Sequence, residues 1–175
     1  HLRQACYALS FLSNFAFDND NGYFALAAQT KPLLHTWSLS VEWQFYLLMP
    51  FFVWLVWHLE FKSKSKLNTV FCAIQFFATL SFALLLYKNF NGSTSSSFFS
   101  LLTRAWEPLV GGLIATLEIR QRLDNSLRIA LLETSAAAVT GWVLVAGCVI
   151  YPFTELQWPS VLTILPVLGG SIIIV

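Results

Sequence analysis

The chain has 175 residues, of which 57% are hydrophobic and 11% are charged, and its formal net charge is +1. Soluble domains carry about 25% charged residues, and several apolar runs here reach the roughly 20 residues that cross a bilayer. The composition therefore argues against a soluble domain. It also argues against a nucleic-acid partner, which would need a basic face.

The apolar segment at about residues 5–17 is too short for a full crossing. We expect an interfacial or re-entrant helix, or a helix packed in the bundle. The three cysteines, Cys6, Cys72 and Cys148, lie far apart in apolar segments without metal-ligand spacing. They are predicted to be small buried hydrophobic residues, and we expect no metal site.

Five longer apolar segments follow, and they predict an all-α, polytopic transmembrane helical bundle. The predicted spans are about 36–58, 67–87, 98–117, 129–150 and 158–175. We assign residues 1–175 to one partial membrane domain. Because the chain begins at His1 and ends inside an apolar run, we expect it to be truncated at both ends.

Lysine and arginine residues predict the orientation of the spans, because basic short loops stay on the cytoplasmic side. Three lysines fall in loop 59–66 and three arginines in loop 118–128. These two loops are predicted to be cytoplasmic. The loops predicted to lie on the periplasmic side are 18–34, 88–97 and 151–157. Within the second of these, the run NGSTSSS at 91–97 is typical of a flexible loop.

The first long span begins with an unusual density of hydrogen-bonding side chains. His35, Ser38, Glu42 and Tyr46 recur at helical spacing and share one face. They could line a substrate cavity, in which Glu42 orients or charges a neighbouring group and His35 acts in acid–base chemistry. They could equally bond to adjacent helices and anchor the span at the membrane interface. The spacing leaves both interpretations open.

Two further features of the apolar spans bear on packing. The tryptophans are predicted to form a belt at the membrane interface, and Pro50 is predicted to kink its helix and free the carbonyl of Tyr46. In the span at 98–117, the pair Gly111 and Gly112 predicts a close approach of helices.

Arg104 and Glu107 lie three residues apart in the same span, so the two charges can pair and lower the cost of burial. Alternatively, the planar guanidinium of Arg104 binds an anionic ligand such as a carboxylate or phosphate. The sequence favours neither interpretation decisively.

The segment from Lys31 to Pro50 has the sequence KPLLHTWSLSVEWQFYLLMP. It resembles the signature of the acyltransferase-3 family, which are bacterial integral membrane O-acyltransferases. Trp43 departs from it, since the family usually has a second glutamate there. Supporting segments occur in the same order: FLSN at 11–14, GYF at 22–24, RAWE at 104–107 and LPVLG at 165–169.

This resemblance implies an enzyme of the bacterial inner (cytoplasmic) membrane. It would move an acyl group, commonly acetyl, from cytoplasmic acyl-CoA to a hydroxyl of a lipid-linked or exported glycan, such as lipopolysaccharide, peptidoglycan or exopolysaccharide. The implied partners are the lipid bilayer, acyl-CoA as donor and that glycan, with no bound cofactor. The family's catalytic histidine lies in a span that these residues lack, so the fragment is expected to be inactive alone.

For the residues present, the resemblance supports assisting roles in catalysis for Glu42 and His35. The residues assigned to substrate binding are Ser38, Ser40, Tyr46, Arg104 and Glu107.

Two other classes of function fit the same composition. In a transporter or flippase subunit, the polar face would bind a translocated solute without covalent chemistry. A structural or regulatory membrane subunit would use it for packing alone. The long signature favours the enzyme.

Overall fold

The computed structural model describes residues 2–18, 33–59, 66–92, 94–124, 135–150 and 161–174. In these ranges the chain is helical, with short connecting turns, which confirms the predicted all-α class for the described part. The helices are α1 (Leu2–Leu9), α2 (Ser13–Asp18), α3 (Thr36–Leu59), α4 (Lys66–Phe90), α5 (Thr94–Phe99), α6 (Leu101–Arg104), α7 (Trp106–Asp124), α8 (Ser135–Ile150) and, after a 3₁₀ turn (Val161–Thr163), α9 (Ile164–Ile174).

Two of the described helices, α3 and α4, are long and apolar enough to cross a membrane. They coincide with the predicted spans at 36–58 and 67–87. The two apolar segments after α7 are shorter in the described residues, at Ser135–Ile150 and Val161–Ile174. The structure therefore supports a membrane protein with two candidate spans, and the predicted number of five spans is not shown. The predicted spans at 129–150 and 158–175 extend in part outside the described residues.

The prediction of one continuous span at 98–117 is wrong, because the chain breaks there into the end of α5, then α6 and α7. The second break arises where the Oγ of Ser81, on α4, inserts between two backbone groups. Ser81 Oγ donates to the carbonyl of Leu102 at 2.6 Å and accepts from the N–H of Trp106 at 3.0 Å. In an uninterrupted helix those two backbone groups would bond to each other, so the inserted hydroxyl opens the turn.

The prediction of a flexible loop at 91–97 is wrong for residues 94–97, which are helical, whereas residues 91 and 92 form a turn. Helix α4 continues to Phe90, and α5 begins at Thr94. The Oγ of Ser97, which is fully buried, donates to Asn89 Oδ1 at 3.0 Å, and its carbonyl accepts from Thr103 Oγ1 at 2.5 Å. Ser97 therefore links α5 to the end of α4 and to α6. At the other predicted loop, 118–128, α7 continues as helix to Asp124.

The segment at 5–17 forms two short helices that pack against α3, which supports the prediction of a helix packed in the bundle. The chain turns between them at Phe11, whose φ of 54° lies in the left-handed region. Gln44 Nε2 on α3 donates to the carbonyl of Phe11 at 2.8 Å and to Asn14 Oδ1 at 2.9 Å. The turn is thus paired by an amide from the neighbouring helix.

Two hydrophobic clusters hold the described helices together. The larger joins α4 to α7 and is centred on Ile74, Leu85 and Trp106, whereas the smaller surrounds Trp37. The prediction of a tryptophan belt at the membrane interface is wrong for Trp37 and Trp106. Both side chains are buried in these clusters. Trp43 is half exposed on the outside of the bundle.

The prediction of buried cysteines is wrong for two of the three. Cys6 and Cys72 are exposed, and Cys148 is partly buried. All three are free thiols, as their separation in the sequence indicated.

Helices α8 and α9 approach each other closely at Gly141 and Gly169. A Cβ on Gly141 would lie 2.8 Å from the carbonyl oxygen of Gly169, and a Cβ on Gly169 would lie 2.9 Å from that of Gly141. The prediction that Gly111 and Gly112 mediate such an approach is wrong. A Cβ on Gly111 would meet nothing within 4 Å, and one on Gly112 would meet ordinary contacts at 3.8 Å.

We predict that Gly141→Ala destabilises the protein by about 1–3 kcal/mol, because the new methyl group would collide with the backbone of α9. The matched control is Gly147→Ala on the same helix, where a Cβ meets nothing within 4 Å. Alanine there should be neutral or stabilise the helix by up to about 1 kcal/mol. Thermal unfolding of the detergent-solubilised protein measures both. Equal melting temperatures for the two variants would contradict the close approach.

Candidate functional site

A cavity of about 250 Å³ lies between the start of α3 and the break that separates α6 from α7. Five of the seven predicted site residues line it, and we refer to it as the charged cavity. Those five residues are Ser38, Glu42, Tyr46, Arg104 and Glu107. The structure therefore brings the polar side chains of α3 next to Arg104 and Glu107, which lie more than fifty positions later in the sequence.

The charge pair predicted within RAWE is present. Arg104 Nη2 lies 3.3 Å from Glu107 Oε2, and both side chains are about three-quarters buried. The guanidinium also lies over the rings of Trp37, at 5.2 Å, and Phe98, at 5.6 Å. These ring faces attract the cation and hold it in place. Because the paired side chains both line the cavity, pairing and ligand binding are compatible interpretations of Arg104.

The two charged residues lie on either side of the helix break. Arg104 is the last residue of α6, and Glu107 is in the first turn of α7, where a carboxylate interacts favourably with the helix dipole. Pro108 has no N–H, so it cannot donate to the carbonyl of Arg104 four residues earlier. Together with the inserted hydroxyl of Ser81, this keeps the break open beside the cavity.

The opposite wall comes from the polar face of α3. Ser38 Oγ donates to the carbonyl of His35 at 3.2 Å. Glu42 is exposed and lines the cavity, and it forms no hydrogen bond or ion pair with any residue in the described ranges. Tyr46 lies one turn before Pro50, which is inside α3 and cannot donate to the Tyr46 carbonyl.

Two of the predicted site residues lie elsewhere. His35 is exposed in the turn that precedes α3 and does not line the charged cavity. Ser40 is buried between α2 and α3, where its Oγ accepts from the N–H of Ser13 at 3.2 Å and donates to the carbonyl of Thr36 at 2.9 Å. The contacts of Ser40 are therefore those of a packing residue.

The sequence analysis missed the residues that hold the site in place. Trp37 and Phe98 flank Arg104, and Asn14 pairs with Gln44 through two amide hydrogen bonds of 2.9 and 3.4 Å. Asn14 Nδ2 also reaches the carbonyl of Phe99 at 3.3 Å. A signal for the amide pair was present, because both amides fall within the segments FLSN and KPLLHTWSLSVEWQFYLLMP.

The chain matches a known protein family over almost its whole length. The acyltransferase-3 family, described as an acyltransferase domain, matches residues 5–175. The chain belongs to this family. This confirms the resemblance carried by the segment from Lys31 to Pro50. No solved structure matches the chain.

Several curated proteins are similar to this acyltransferase-3 chain. An uncharacterized protein of Haemophilus influenzae is 31% identical over 173 residues, which cover 95% of the chain and 67% of that protein. The putative membrane-bound transacylase BcsY of Komagataeibacter xylinus is 31% identical over 169 residues, or 97% of the chain and 39% of BcsY. The O-acetyltransferase OatA of Staphylococcus aureus is 31% identical over 114 residues, or 65% of the chain and 18% of OatA. The chain thus spans about two thirds of the first protein and less than half of the other two.

We predict that Ser81→Ala destabilises this acyltransferase-3 domain by about 1–3 kcal/mol, because it removes the partner of two buried backbone groups. Direct closure of the turn would have to move Trp106, whose ring packs against Phe82 at 5.0 Å. The control is Thr79→Ala on the same helix, where an exposed hydroxyl bonds only within its own turn among the described residues. That change should stay within about 0.5 kcal/mol. Equal thermal stability of the two variants would show that the hydroxyl does not maintain the break.

Proposed function

We propose that this domain belongs to a membrane O-acyltransferase of the bacterial inner membrane. It takes an acyl group from acyl-CoA and delivers it to a hydroxyl of a cell-surface glycan, either lipid-linked or already exported. The observation that carries the proposal is the charged cavity, where the carboxylate of Glu42 shares one space with the Arg104–Glu107 pair. The family membership and the names of OatA and BcsY support the same reaction class.

The reaction exchanges a thioester for an ester. The oxygen of the acceptor hydroxyl attacks the thioester carbonyl carbon, so a C–O bond forms and the C–S bond breaks. The hydroxyl proton passes through a base to the sulfur of coenzyme A, which leaves as the free thiol. The barrier falls when a base takes the proton and fixed donors stabilise the negative charge that develops on the carbonyl oxygen.

The residues of the charged cavity suit these tasks. Glu42 can accept a hydrogen bond from the acceptor hydroxyl and orient it, or orient the group that removes its proton. Arg104 has five N–H donors in a fixed plane, and its contact with Glu107 occupies one of them in the described residues. The remaining donors can bind an oxygen of the acceptor glycan in the cavity. We assign the positioning of substrate to Ser38 and Tyr46 rather than to His35, because the former two line the cavity.

The basic residues support an orientation with the charged cavity toward the periplasm. Lys66 Nζ lies 5.3 Å from the ring centroid of Trp57, and the Arg120 guanidinium carbon lies 5.6 Å from that of Phe71. These contacts join the end of α3, the start of α4 and the far part of α7, at the opposite end of α3 from the cavity. In a bilayer, such a basic end favours the cytoplasmic side.

Isotope transfer tests the reaction class. Membranes that contain the full-length protein, an acceptor glycan and acetyl-CoA labelled in the acetyl group should yield labelled glycan, and mild alkali should release the label because it is held as an ester. Membranes without the protein provide the background. Movement of glycan across the membrane without incorporation of label would instead support a transporter or flippase and contradict the proposal.

We predict that Glu42→Gln lowers the rate of acyl transfer by about a hundredfold or more, because the amide cannot accept a proton or carry the charge that orients the reacting groups. The matched control is Glu118→Gln on α7, since Glu118 does not line the charged cavity. Both variants should reach wild-type levels in the membrane, and the control should keep its activity. Unchanged transfer by Glu42→Gln at normal membrane levels would remove Glu42 from the mechanism.

A further inference from the structure

The charged cavity contains more negative than positive groups. Among the described residues that line it, Glu42 and Glu107 carry carboxylates and Arg104 carries a guanidinium, so the wall has an excess of one negative charge. The guanidinium lies 3.3 Å from Glu107 Oε2 and faces the rings of Trp37 and Phe98. The positive charge of Arg104 is therefore balanced within the wall itself.

This balance of charge opposes the binding of an anion. A carboxylate or phosphate in the cavity would have to compete with Glu107 for the guanidinium of Arg104. It would also share a small space with the carboxylate of Glu42, and like charges at such separations repel each other. Of the two interpretations of Arg104 that the sequence leaves open, the binding of an anionic ligand is therefore disfavoured.

The hydrogen-bonding groups of the wall suit hydroxyls. The carboxylates of Glu42 and Glu107 only accept hydrogen bonds, and Ser38 Oγ can accept as well, because its own proton is donated to a backbone carbonyl at 3.2 Å. The guanidinium of Arg104 and the phenol of Tyr46 can donate. A sugar hydroxyl both donates and accepts, so it can pair with either kind of group. An ionised acid group only accepts, and would leave the carboxylate oxygens without a donor.

The size of the cavity and one aromatic side chain indicate a single sugar ring. The volume of about 250 Å³ is below the roughly 300–1,000 Å³ of pockets that enclose drug-sized ligands. Tyr46 lines this cavity and is 64% exposed, so its ring is accessible to a ligand. The C–H face of a sugar can pack on that ring while the hydroxyls bond to the polar wall.

We propose that the charged cavity binds one uncharged sugar unit of the acceptor glycan and rejects acidic units, such as uronic acids and sugar phosphates. This inference rests on the proposed acyltransferase function and deepens it, because it names the class of acceptor. Glu42 accepts a hydrogen bond from a sugar hydroxyl, Arg104 donates to a sugar oxygen, and Tyr46 packs against the ring. The excess negative charge of the wall causes the rejection.

The test compares sugars that differ in one charged group. Methyl glucoside and methyl glucuronide differ only at C6, where a carboxylate replaces a hydroxymethyl group, and methyl galactoside and methyl galacturonide form a second pair. Saturation-transfer NMR with the full-length protein in a sugar-free detergent gives the dissociation constant of each without acyl transfer. In at least one pair the neutral sugar should bind about tenfold more tightly. Added salt should reduce this preference, because mobile ions screen the charge of the wall.

A variant of the charge pair tests whether the cavity is the origin of the preference. Glu107→Gln removes one carboxylate and releases the guanidinium of Arg104, so the preference for the neutral sugar should fall to about threefold or less. Glu118→Gln, also on α7 but outside the cavity, is the matched control and should keep the wild-type preference. If Glu107→Gln does not accumulate in the membrane, the salt dependence of the wild-type preference decides the question.

Equal or tighter binding of the acidic sugars would overturn the inference and leave the proposed function intact. The same holds for a preference that neither salt nor Glu107→Gln changes, and for a protein that binds neither member of either pair. Failure of acyl transfer in the isotope assay, together with a salt-dependent preference for the neutral sugars, would keep the assignment of the cavity and remove the proposed function.

Discussion

A backbone N–H or carbonyl at a helix break needs a hydrogen-bond partner, and in apolar surroundings water cannot provide one. The architecture of this domain depends on that requirement. At the break before α7, Ser81 of α4 pairs the carbonyl of Leu102 and the N–H of Trp106. At the turn between α1 and α2, Gln44 of α3 pairs the carbonyl of Phe11. Each irregular point is thus fixed by a side chain from a neighbouring helix.

These pairings explain how a charged cavity can exist between apolar helices. Arg104 and Glu107 lie on either side of the break, in the opening between α3 and α7, where Trp37 and Phe98 cover the guanidinium. Part of the cost of burying the cation is offset by the carboxylate and by the aromatic faces. The packing interpretation and the binding interpretation of this pair therefore describe the same arrangement.

The parts of the fold that the sequence predicts are those governed by local hydropathy. Helices α3 and α4 follow from runs of apolar residues, and the shared face of Ser38, Glu42 and Tyr46 follows from helical spacing. The break at Ala105 depends on a hydroxyl that lies more than twenty positions earlier, so no local pattern reveals it. For the same reason, hydropathy could not distinguish the buried Trp37 from an interface tryptophan, since its neighbours are Phe98 and Phe99.

The hydrogen-bond partners of the polar side chains show which of them the helix packing uses. Ser40, Gln44 and Ser81 all lie in apolar helices, and the contacts of each are explained by backbone or side-chain partners in adjacent elements. Glu42 lies on the same helix as two of them, yet it pairs with nothing in the described part of the chain. An ionisable group in a candidate membrane span is costly to maintain when packing does not use it. Glu42 is exposed and lines the charged cavity, so the packing of the described helices does not use its carboxylate.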